Sequence, residues 1–452
     1  MGFSENFVWG AATSSYQIEG TGKDSGKGMN IWDVYTKEPG RIYEGHTGDV
    51  ACDHYHRFKE DVAHMKEMGL KGYRFSIDWS RVLPDGFGEI NEKGIAFYDA
   101  LINELLDNGI EPYITLYHWE LPYEIYKRGG WMNPEIVEWF GVYARLVAER
   151  FSDRVKYFFT LNEPQCFVGL GFLQGCHAPG VHAPLRDTFE MAHNALKAHG
   201  KAVQMLRTYG KQKLEVGYAP TSSMCYPETE KPEDIEAARK ALFAMPEDIF
   251  NWTWNVAWWS DPVILGKYPE EGLKRFEAFL PEITDEDMKL ISQPIDFYGQ
   301  NIYNGRCIRM GKDGKPEEVK WPAGFPKTAT NWSVTPEALY WGPKFLYERY
   351  QKPIYITENG MACHDTISLD GKVHDPDRID FLARYLTNLK HAAGEIDIRG
   401  YFQWSLMDNF EWDKGYAERF GIIYVDFETQ ERIWKDSAYW YRDLIRKNGE
   451  IL

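Results

Sequence analysis

Long apolar runs are missing from this sequence of 452 residues. No stretch approaches the roughly 18 consecutive apolar residues that a membrane-spanning helix needs, so we expect no membrane-embedded segment. Positive charge is also scarce, because 51 Lys and Arg residues are outnumbered by 68 Asp and Glu residues, which gives a net charge of −17. A surface this acidic repels phosphate backbones and anionic lipids. We therefore expect neither nucleic acid nor a membrane surface among the partners.

Cysteine is sparse and irregularly spaced. The chain has no C-x-x-C pair and no His and Cys cluster with the spacing of a zinc site, so we expect no bound metal. The N-terminal stretch MGFSENFVWGAATSS lacks the basic n-region and the apolar h-region of a secretion signal. These features predict a cytoplasmic protein with reduced thiols. A glycine-rich phosphate loop is also missing, and we expect no cofactor. The six cysteines are Cys52, Cys166, Cys176, Cys225, Cys307 and Cys363.

Aromatic residues, in contrast, are abundant. They make up 15% of the chain and include 17 tryptophans, which is more than packing alone tends to require. The apolar C–H faces of sugar rings stack on indole rings. Carbohydrate binding is therefore one class of function that fits this composition.

Short β-branched and aromatic runs alternate with helical patterns along the chain. Residues 58–69 and 93–109 have the helical pattern, each with one apolar face and a terminal glycine. Parallel strands need crossover helices, so eight such runs with intervening helices predict a single α/β domain over residues 1–452, a (β/α)8 TIM barrel. The eight runs are residues 7–14, 72–79, 111–119, 155–162, 214–220, 295–303, 353–360 and 398–406.

Most of these runs end, at their C-terminal side, in polar or aromatic residues. One such residue alone would be an ordinary helix cap or turn residue, but six strand ends share the feature. In a (β/α)8 barrel the carboxyl ends of the strands carry the active site, so these side chains are predicted to converge on one pocket. They are Asp78 with Trp79, His118 with Trp119, Asn162 with Glu163, Asn301 with Tyr303, Glu358 with Asn359, and Trp404.

Two of these strand ends carry a glutamate, and a pair of carboxyl groups can hydrolyse an acetal. One carboxyl must be protonated to assist the leaving oxygen, and the other must be ionised to attack the sugar or to activate water. Glu163 and Glu358 are the candidates, because both lie at the end of an apolar strand. The sequence contains no activated Ser or Cys arrangement that would suggest a different hydrolytic mechanism.

Several motifs resemble those of family 1 glycoside hydrolases, the β-glucosidase family. TLNEP (160–164) and YITENG (355–360) resemble the two signature stretches, and five other segments occur in the family's order: WGAATSSYQIEG, YRFSIDWSRVLP, LYHWELP, HAPG and WSLMDNFEW. The resemblance extends from Phe7 to Tyr441. It implies a TIM-barrel enzyme that removes terminal non-reducing β-glucosyl units, and galactosyl or fucosyl units, from short β-glycosides such as cello-oligosaccharides, with retention of configuration.

The resemblance also implies roles for individual residues. Glu163 would be the general acid/base and Glu358 the nucleophile, with Arg74 and Tyr303 donating hydrogen bonds that keep the pKa of Glu358 low. Asn162 is suited to the 2-hydroxyl of the sugar, and retention requires the two carboxyl groups to be about 5–5.5 Å apart. Further substrate contacts are implied for Gln17, His118, Trp119, Asn301, Tyr303, Trp332, Trp404, Glu411, Trp412 and Phe420.

Gln165 departs from the family pattern. Many relatives carry a tryptophan there, on the side of the leaving group (the aglycone), and a glutamine offers hydrogen bonds instead of a stacking face. We therefore expect Gln165 to influence the choice of aglycone. Trp332, in the segment TATNWSVTPEALY, resembles the family's other aglycone platform.

Three other functions are compatible with the same fold. A 6-phospho-β-glucosidase would need hydroxyl residues and a lysine in the stretch NFEWDKGYAERFG, where Glu411 would repel a phosphate. A non-catalytic sugar-binding barrel typically loses one or both catalytic carboxylates, whereas both are present here. A transglycosidase would use the same covalent intermediate, and the sequence does not separate it from a hydrolase. In each case the expected partner is a small-molecule glycoside, bound by a monomer or a homo-oligomer.

Overall fold

The computed structural model describes residues 2–22 and 24–452. Within these ranges the chain forms thirteen strands: β1 (Val8–Ala12), β2 (Gly72–Ser76), β3 (Glu111–Tyr117), β4 (Tyr157–Asn162), β5 (Glu215–Ala219), β6 (Met224–Pro227), β7 (Phe297–Asn301), β8 (Gly305–Met310), β9 (Pro316–Glu318), β10 (Ile354–Asn359), β11 (Ile398–Trp404), β12 (Ile423–Val425) and β13 (Arg432–Trp434). Eight of them close a parallel barrel in the order β1-β11-β10-β7-β5-β4-β3-β2. The predicted (β/α)8 barrel is confirmed, with one strand in each predicted run.

Helices connect the barrel strands and cover the outside of the barrel, as parallel pairing requires. In the described ranges they are α1 (Ser15–Ile18), α2 (Ile31–Tyr35), α3 (His54–Met68), α4 (Trp79–Val82), α5 (Glu92–Asp107), α6 (Tyr123–Lys127), α7 (Ile136–Phe151), α8 (Pro164–Val168), α9 (Leu185–Tyr209), α10 (Pro232–Phe243), α11 (Val256–Leu265), α12 (Glu270–Arg275), α13 (Asp285–Ile291), α14 (Ala338–Tyr350), α15 (Pro376–Ala393) and α16 (Asp436–Arg446). Shorter helical turns occur at Tyr43–Gly45, Gly130–Met132, Gly169–Leu173, Ile249–Trp254, Glu277–Phe279 and Trp412–Lys414.

The helical patterns read from the sequence form the helices expected of them. α3 ends before Gly69, whose φ of +82° is the left-handed conformation that glycine adopts most easily at a helix C-terminus. The helix begins at His54, earlier than the pattern at residue 58 suggested. α5 covers most of the second pattern, residues 93–109. The predicted apolar face of α3 is buried against the barrel through Val62, Met65 and Met68.

Aromatic rings from five different strands pack together inside the barrel. Tyr113 of β3 and Phe402 of β11 lie 4.9 Å apart between ring centroids although their strands are not neighbours, so the contact crosses the barrel interior. The guanidinium of Arg74 lies 5.1 Å from the centroid of the Phe159 ring. The layer of aromatic rings therefore lies inside the barrel directly beneath the polar residues of the strand ends. The five rings belong to Tyr113, Phe159, Phe297, Tyr355 and Phe402.

Two small sheets lie outside the barrel. β6, β8 and β9 form a three-stranded sheet between β5 and α14, and β12 pairs with β13 after β11. Both sheets belong to loops that follow the carboxyl ends of barrel strands, so they stand on the same face as the polar strand ends. Among the described helices, none has the length and apolar character needed to cross a membrane.

Candidate active site

A cavity of about 350 Å³ opens at the carboxyl ends of the barrel strands. Its position is the one that the barrel architecture predicts for an active site. Ten of the predicted site residues line it: His118, Trp119, Glu163, Tyr303, Trp332, Glu358, Trp404, Glu411, Trp412 and Phe420. The other five are almost fully buried around this lining: Gln17, Arg74, Asn162, Gln165 and Asn301.

Glu358 lies near the end of β10 and is held by two donors. Arg74 Nη1 donates to its Oε1 at 2.7 Å, and the Tyr303 hydroxyl donates to its Oε2 at 2.7 Å. Burial raises the pKa of Glu358, while Arg74 and Tyr303 act in the opposite direction. The expected pair of donors is therefore in place, but the expectation of a low pKa is wrong, because burial of the carboxyl outweighs both donors.

Glu163 follows β4 and has weaker partners. Asn301 Nδ2 donates to its Oε1 at 2.7 Å, and the Cys166 thiol donates to its Oε2 at 3.1 Å. Burial and the nearby Glu358 raise the pKa of Glu163 to about 7. An amide and a thiol stabilise a carboxylate less than a guanidinium does. When the pair shares one proton, the proton is therefore held by Glu163 and the negative charge by Glu358.

A layer of amides behind the cavity fixes both carboxyl groups. Asn162 Oδ1 accepts from Arg74 Nη2 at 2.5 Å and from Asn301 Nδ2 at 3.0 Å. Asn162 Nδ2 lies 3.1 Å from His118 Nε2. Burial and the charge of Arg74 lower the pKa of His118 well below its usual value, so the ring is neutral. The network joins residues from five strand ends, and the assignment of Asn162 to a sugar hydroxyl remains a prediction.

Glu411 lies in the loop after β11, next to the helix that follows β1. Gln17 Nε2 donates to the carbonyl oxygen of Phe410 at 2.9 Å and to Glu411 Oε2 at 3.4 Å. Burial, followed by the charges of Glu418 and Asp413, raises the pKa of Glu411 well above its usual value. Gln17 therefore holds the Glu411 loop, while the Glu411 carboxyl faces the cavity and can bind ligand hydroxyl groups.

Indole rings form the walls of the cavity. The rings of Trp119 and Trp412 lie 4.5 Å apart, and the rings of Tyr303 and Trp332 lie 5.1 Å apart, between centroids. Trp332 is 37% exposed, so it forms part of the cavity mouth. Three lining residues that are not glycine have left-handed backbones: Trp119 (φ +92°), Glu163 (φ +44°) and Trp412 (φ +48°). Such strained conformations cluster at functional sites, where the surrounding structure holds them.

The structure contradicts the expected position of Gln165. Its side chain is fully buried and does not line the cavity. Its Nε2 donates to the carbonyl oxygen of Thr221 at 2.9 Å, and its Oε1 accepts from the Thr221 N–H at 3.4 Å. The amide is turned toward the backbone after β5 instead of the aglycone side, because this segment offers both a donor and an acceptor. Gln165 thereby contacts the segment that leads into Ser222 and Ser223, which line the cavity.

Sequence reasoning missed several lining residues. Cys166 lies in the first turn of α8, and its thiol contacts Glu163, the residue that immediately precedes this helix. Ser222 and Ser223 line the cavity from the short connection between β5 and β6, and Trp254 lines it from the helical turn Ile249–Trp254; no local pattern indicates their position. Trp252, two residues before Trp254, is fully buried.

Two buried carboxyl groups in unequal surroundings, at the bottom of a cavity walled by indoles, are the arrangement of a glycoside-cleaving site. The chain matches Glycosyl hydrolase family 1 over residues 1–450. The chain therefore belongs to glycosyl hydrolase family 1 and is an enzyme.

Individual relatives agree with this assignment. The chain is 44% identical over 449 residues to Beta-glucosidase A of Thermotoga maritima, which covers 99% of this chain and 98% of the relative. It is 40% identical over 486 residues to the aryl-phospho-beta-D-glucosidase BglC of Bacillus subtilis, with 100% and 98% covered. The solved structure of the Thermotoga maritima beta-glucosidase in complex with glucoimidazole matches with a TM-score of 0.89, at 44% identity and 99% of both chains.

Proposed function

We infer that the protein is a retaining β-glucosidase, which removes terminal non-reducing β-glucosyl units from short β-glycosides. The observation that carries this inference is the asymmetry of the two carboxyl groups. Glu358 is bound by Arg74 and Tyr303, whereas Glu163 is bound by an amide and a thiol. One carboxyl is therefore suited to remain ionised and the other to carry a proton.

The first step transfers the sugar to Glu358. Glu163 gives its proton to the glycosidic oxygen, the carboxylate of Glu358 attacks the anomeric carbon, and the bond between that carbon and the leaving oxygen breaks. Arg74 and Tyr303 hold Glu358 in place and partly balance its charge. The products are a free alcohol or shortened sugar and a glycosyl ester on Glu358.

The second step returns the enzyme to its starting state. Burial and the charge of Glu358 together raise the pKa of Glu163. Because the ester on Glu358 carries no charge, the second of these causes is removed, which lowers the pKa of Glu163 and favours its ionised form. Glu163 then takes a proton from water as the water oxygen attacks the anomeric carbon. The ester bond breaks and releases Glu358 as a carboxylate. Configuration is retained because two inversions have occurred.

The cavity favours an uncharged sugar over a phosphorylated one. Five carboxyl groups line it, and within the described residues Lys414 is the one Lys or Arg among the lining residues, itself paired with Asp413 at 2.6 Å. A phosphate would bring close to two further negative charges, and the lining cation is already paired with a carboxylate. The site therefore suits glucosyl units, and by extension galactosyl or fucosyl units, rather than the phosphorylated substrates named for the Bacillus subtilis relative. The five carboxyl groups are Glu163, Glu358, Glu411, Asp413 and Glu418.

We also propose a cytoplasmic location and a role in the breakdown of cello-oligosaccharides. The location is supported by the cysteines at residues 52, 166, 176, 225, 307 and 363, which are all free thiols. The role is supported by the β-glucosidase activity inferred here.

A 2-deoxy-2-fluoro-β-glucosyl fluoride tests the mechanism. The fluorine slows both steps, and the reactive leaving group lets the first step proceed, so the glycosyl ester should accumulate. We expect mass spectrometry of the digested protein to find one sugar on the peptide that contains Glu358. The Glu358→Gln variant is the matched control and should remain unlabelled. Labelling of a different residue, or no labelling of the parent enzyme, would contradict the mechanism.

A further inference from the structure

A second cavity, which we name the outer groove, adjoins the active-site cavity. Its volume is about 630 Å³, compared with about 350 Å³ for the active-site cavity. Ser222, Ser223 and Trp254 line both cavities. The two cavities therefore adjoin at these three residues, and a ligand that extends past Trp254 from the active-site cavity would enter the outer groove.

The walls of the outer groove are fixed by hydrogen bonds. Arg275 Nη1 donates to the carbonyl oxygen of Pro246 at 2.6 Å, and Asn255 Nδ2 donates to that of Ala244 at 2.7 Å. Asp248 caps the helical turn Ile249–Trp254 by accepting from the Phe250 N–H at 3.0 Å. The opposite wall includes β8 and β9, which are paired with each other. The groove is thus a formed part of the fold, and a ligand would bind without ordering a loop.

The chemistry of the outer groove suits an uncharged polyhydroxyl ligand. Three acidic residues (Glu247, Asp248, Glu318) and three basic residues (Arg275, Arg306, Lys315) line it, so their charges balance in a protein whose net charge is −17. Serine hydroxyls and the Asn251 amide add donors and acceptors. Trp254 supplies one large aromatic face at the junction with the active-site cavity. Sugar hydroxyls and C–H faces match this combination of polar groups and an indole.

The position of the outer groove relates it to the leaving group. Ser222 and Ser223 follow β5, which lies across the barrel from β1, and Gln17 follows β1. A terminal sugar bound near Gln17 and Glu411 therefore places its glycosidic bond toward the β5 side. Gln165 fixes the Thr221 backbone from which Ser222 and Ser223 continue. The buried amide thereby supports the start of the groove.

We propose that the outer groove binds the sugar units on the reducing-end side of a neutral β-linked oligosaccharide whose terminal unit lies in the active-site cavity. This proposal rests on the proposed function and extends it to substrate length. Each unit seated in the groove contributes binding that a disaccharide cannot reach. The enzyme is accordingly selective for longer oligosaccharides.

The test compares kcat/KM for the β-1,4-linked disaccharide and tetrasaccharide of glucose, with 4-nitrophenyl β-glucoside as a separate reference. We expect the parent enzyme to favour the tetrasaccharide. Trp254→Ala should lower the ratio of tetrasaccharide to disaccharide kcat/KM by about three- to tenfold, the worth of one aromatic contact. Trp321→Ala is the matched control, because Trp321 stacks on Phe325 outside both cavities and its loss should leave the ratio unchanged. Lys315→Ala is a second groove variant, and it should also lower the ratio of tetrasaccharide to disaccharide kcat/KM. Because Lys315 is exposed, this variant should fold even if Trp254→Ala does not.

The outcomes separate the two proposals. Equal kcat/KM for the two oligosaccharides would overturn the proposal that the outer groove binds sugar units, and so would a preference that both groove variants leave unchanged. In either case, cleavage of the 4-nitrophenyl glucoside would still support the β-glucosidase assignment. Failure to cleave any of the three compounds would overturn the proposed function, and the groove proposal with it.

Discussion

Two clusters of buried carboxyl groups stand at the same end of the barrel and differ in their cations. The active site brings Glu163, Glu358 and Glu411 to one cavity, where Arg74 is the cation in contact. The other cluster, which we name the bracing cluster, contains three acids and three bases. Its members are Asp365, Asp375, Asp408, Arg378, Arg419 and Lys435.

The number of cationic partners decides the protonation of each acid. Asp365 contacts both Arg378 (2.7 Å) and Lys435 (2.5 Å), and despite burial these cations lower its pKa. Asp375 has Arg378 alone as a partner within the cluster, and burial raises its pKa. Glu358 has Arg74 alone, and burial raises its pKa as well. Glu163 has no cation in contact, and its pKa reaches about 7. An acid with two cationic partners, such as Asp365, is thus held ionised, whereas Glu163, with none in contact, can exchange its proton near neutral pH.

The bracing cluster has a structural position that suits fixed charges. Arg378 of α15 donates to the carbonyl oxygen of Met361 at 3.3 Å and to that of Arg419 at 2.8 Å. Asp408 accepts from the Gly421 N–H at 3.0 Å. These bonds tie the loop after β10 to the loop after β11, on either side of the cavity-lining Phe420. The bracing cluster holds the loops, and the carboxyl groups proposed to be catalytic lie in the cavity between them.

The largest effect is expected for Glu358→Gln, which removes the proposed nucleophile but keeps the shape of the side chain. We expect kcat to fall by a factor on the order of 10⁶, as for the loss of a nucleophile in other covalent mechanisms. Steady-state kinetics on an activated aryl glucoside measure the loss, and circular dichroism should show an intact fold. A residual rate as high as that of a Glu163 variant would argue that Glu358 is not the nucleophile.

Glu163→Ala is the next step, because it removes the proton donor and leaves the nucleophile. For leaving groups that need a proton, we expect kcat to fall by about 10²–10⁴. Substrates with dinitrophenyl leaving groups should lose little in the first step, and azide should restore turnover by attacking the glycosyl ester. Equal losses on activated and unactivated substrates, without azide rescue, would exclude Glu163 as the acid.

Glu163 also makes stability depend on pH. Its pKa of about 7 in the folded protein lies above its ordinary value of 4.5, so the folded state binds more protons than the unfolded state between these values. Stability contributed by this group is therefore lost as pH rises through that window. We expect Glu163→Gln, which cannot ionise, to raise the Tm relative to the parent more at pH about 8 than at pH about 5. The opposite trend would show that Glu163 is not held in its protonated form.

In the bracing cluster, breaking one pair should affect stability rather than chemistry. Arg378→Met leaves Asp365 and Asp375 buried with fewer partners, and we expect a loss of about 3–5 kcal/mol in the free energy of unfolding. Arg384→Met on the same helix is the matched control, since Arg384 and Asp380 form an exposed pair, and it should leave the free energy of unfolding close to that of the parent. Thermal and urea unfolding measure both. An equal loss of unfolding free energy in the two variants would contradict the structural role assigned to the bracing cluster.

Much of the fold and of the site followed from local sequence patterns. Short β-branched and aromatic runs predicted all eight barrel strands, and the rule that parallel strands end on one face brought His118, Glu163 and Glu358 together. Burial and side-chain direction do not follow from such patterns. The pKa of Glu358 was expected to be low because the family resemblance implied its two donors, whereas the desolvation that raises it is a property of the folded site.

The errors have the same origin. Gln165 occupies a motif position associated with the aglycone, but the backbone of Thr221 binds its amide, and that segment is distant in sequence. The bracing cluster joins residues from 365 to 435 through loops whose paths no periodicity describes. Trp254 reaches the cavity in the same way. Local patterns place strand ends well, and they place loop residues poorly.

The smallest expected effect is that of changing Cys166, an uncharged residue that affects the pKa of Glu163 in the active site. Its thiol donates to Glu163 Oε2 at 3.1 Å and so favours the carboxylate, which lowers the pKa of Glu163. Cys166→Ala removes the donor and should move the basic limb of the kcat/KM profile, which reports the free acid, to higher pH. Cys166→Ser keeps a donor, and because a hydroxyl donates more strongly than a thiol, its limb should stay or move to lower pH. A shift in the same direction for both variants would mean that packing around α8, and not the hydrogen bond, sets the pKa of the acid.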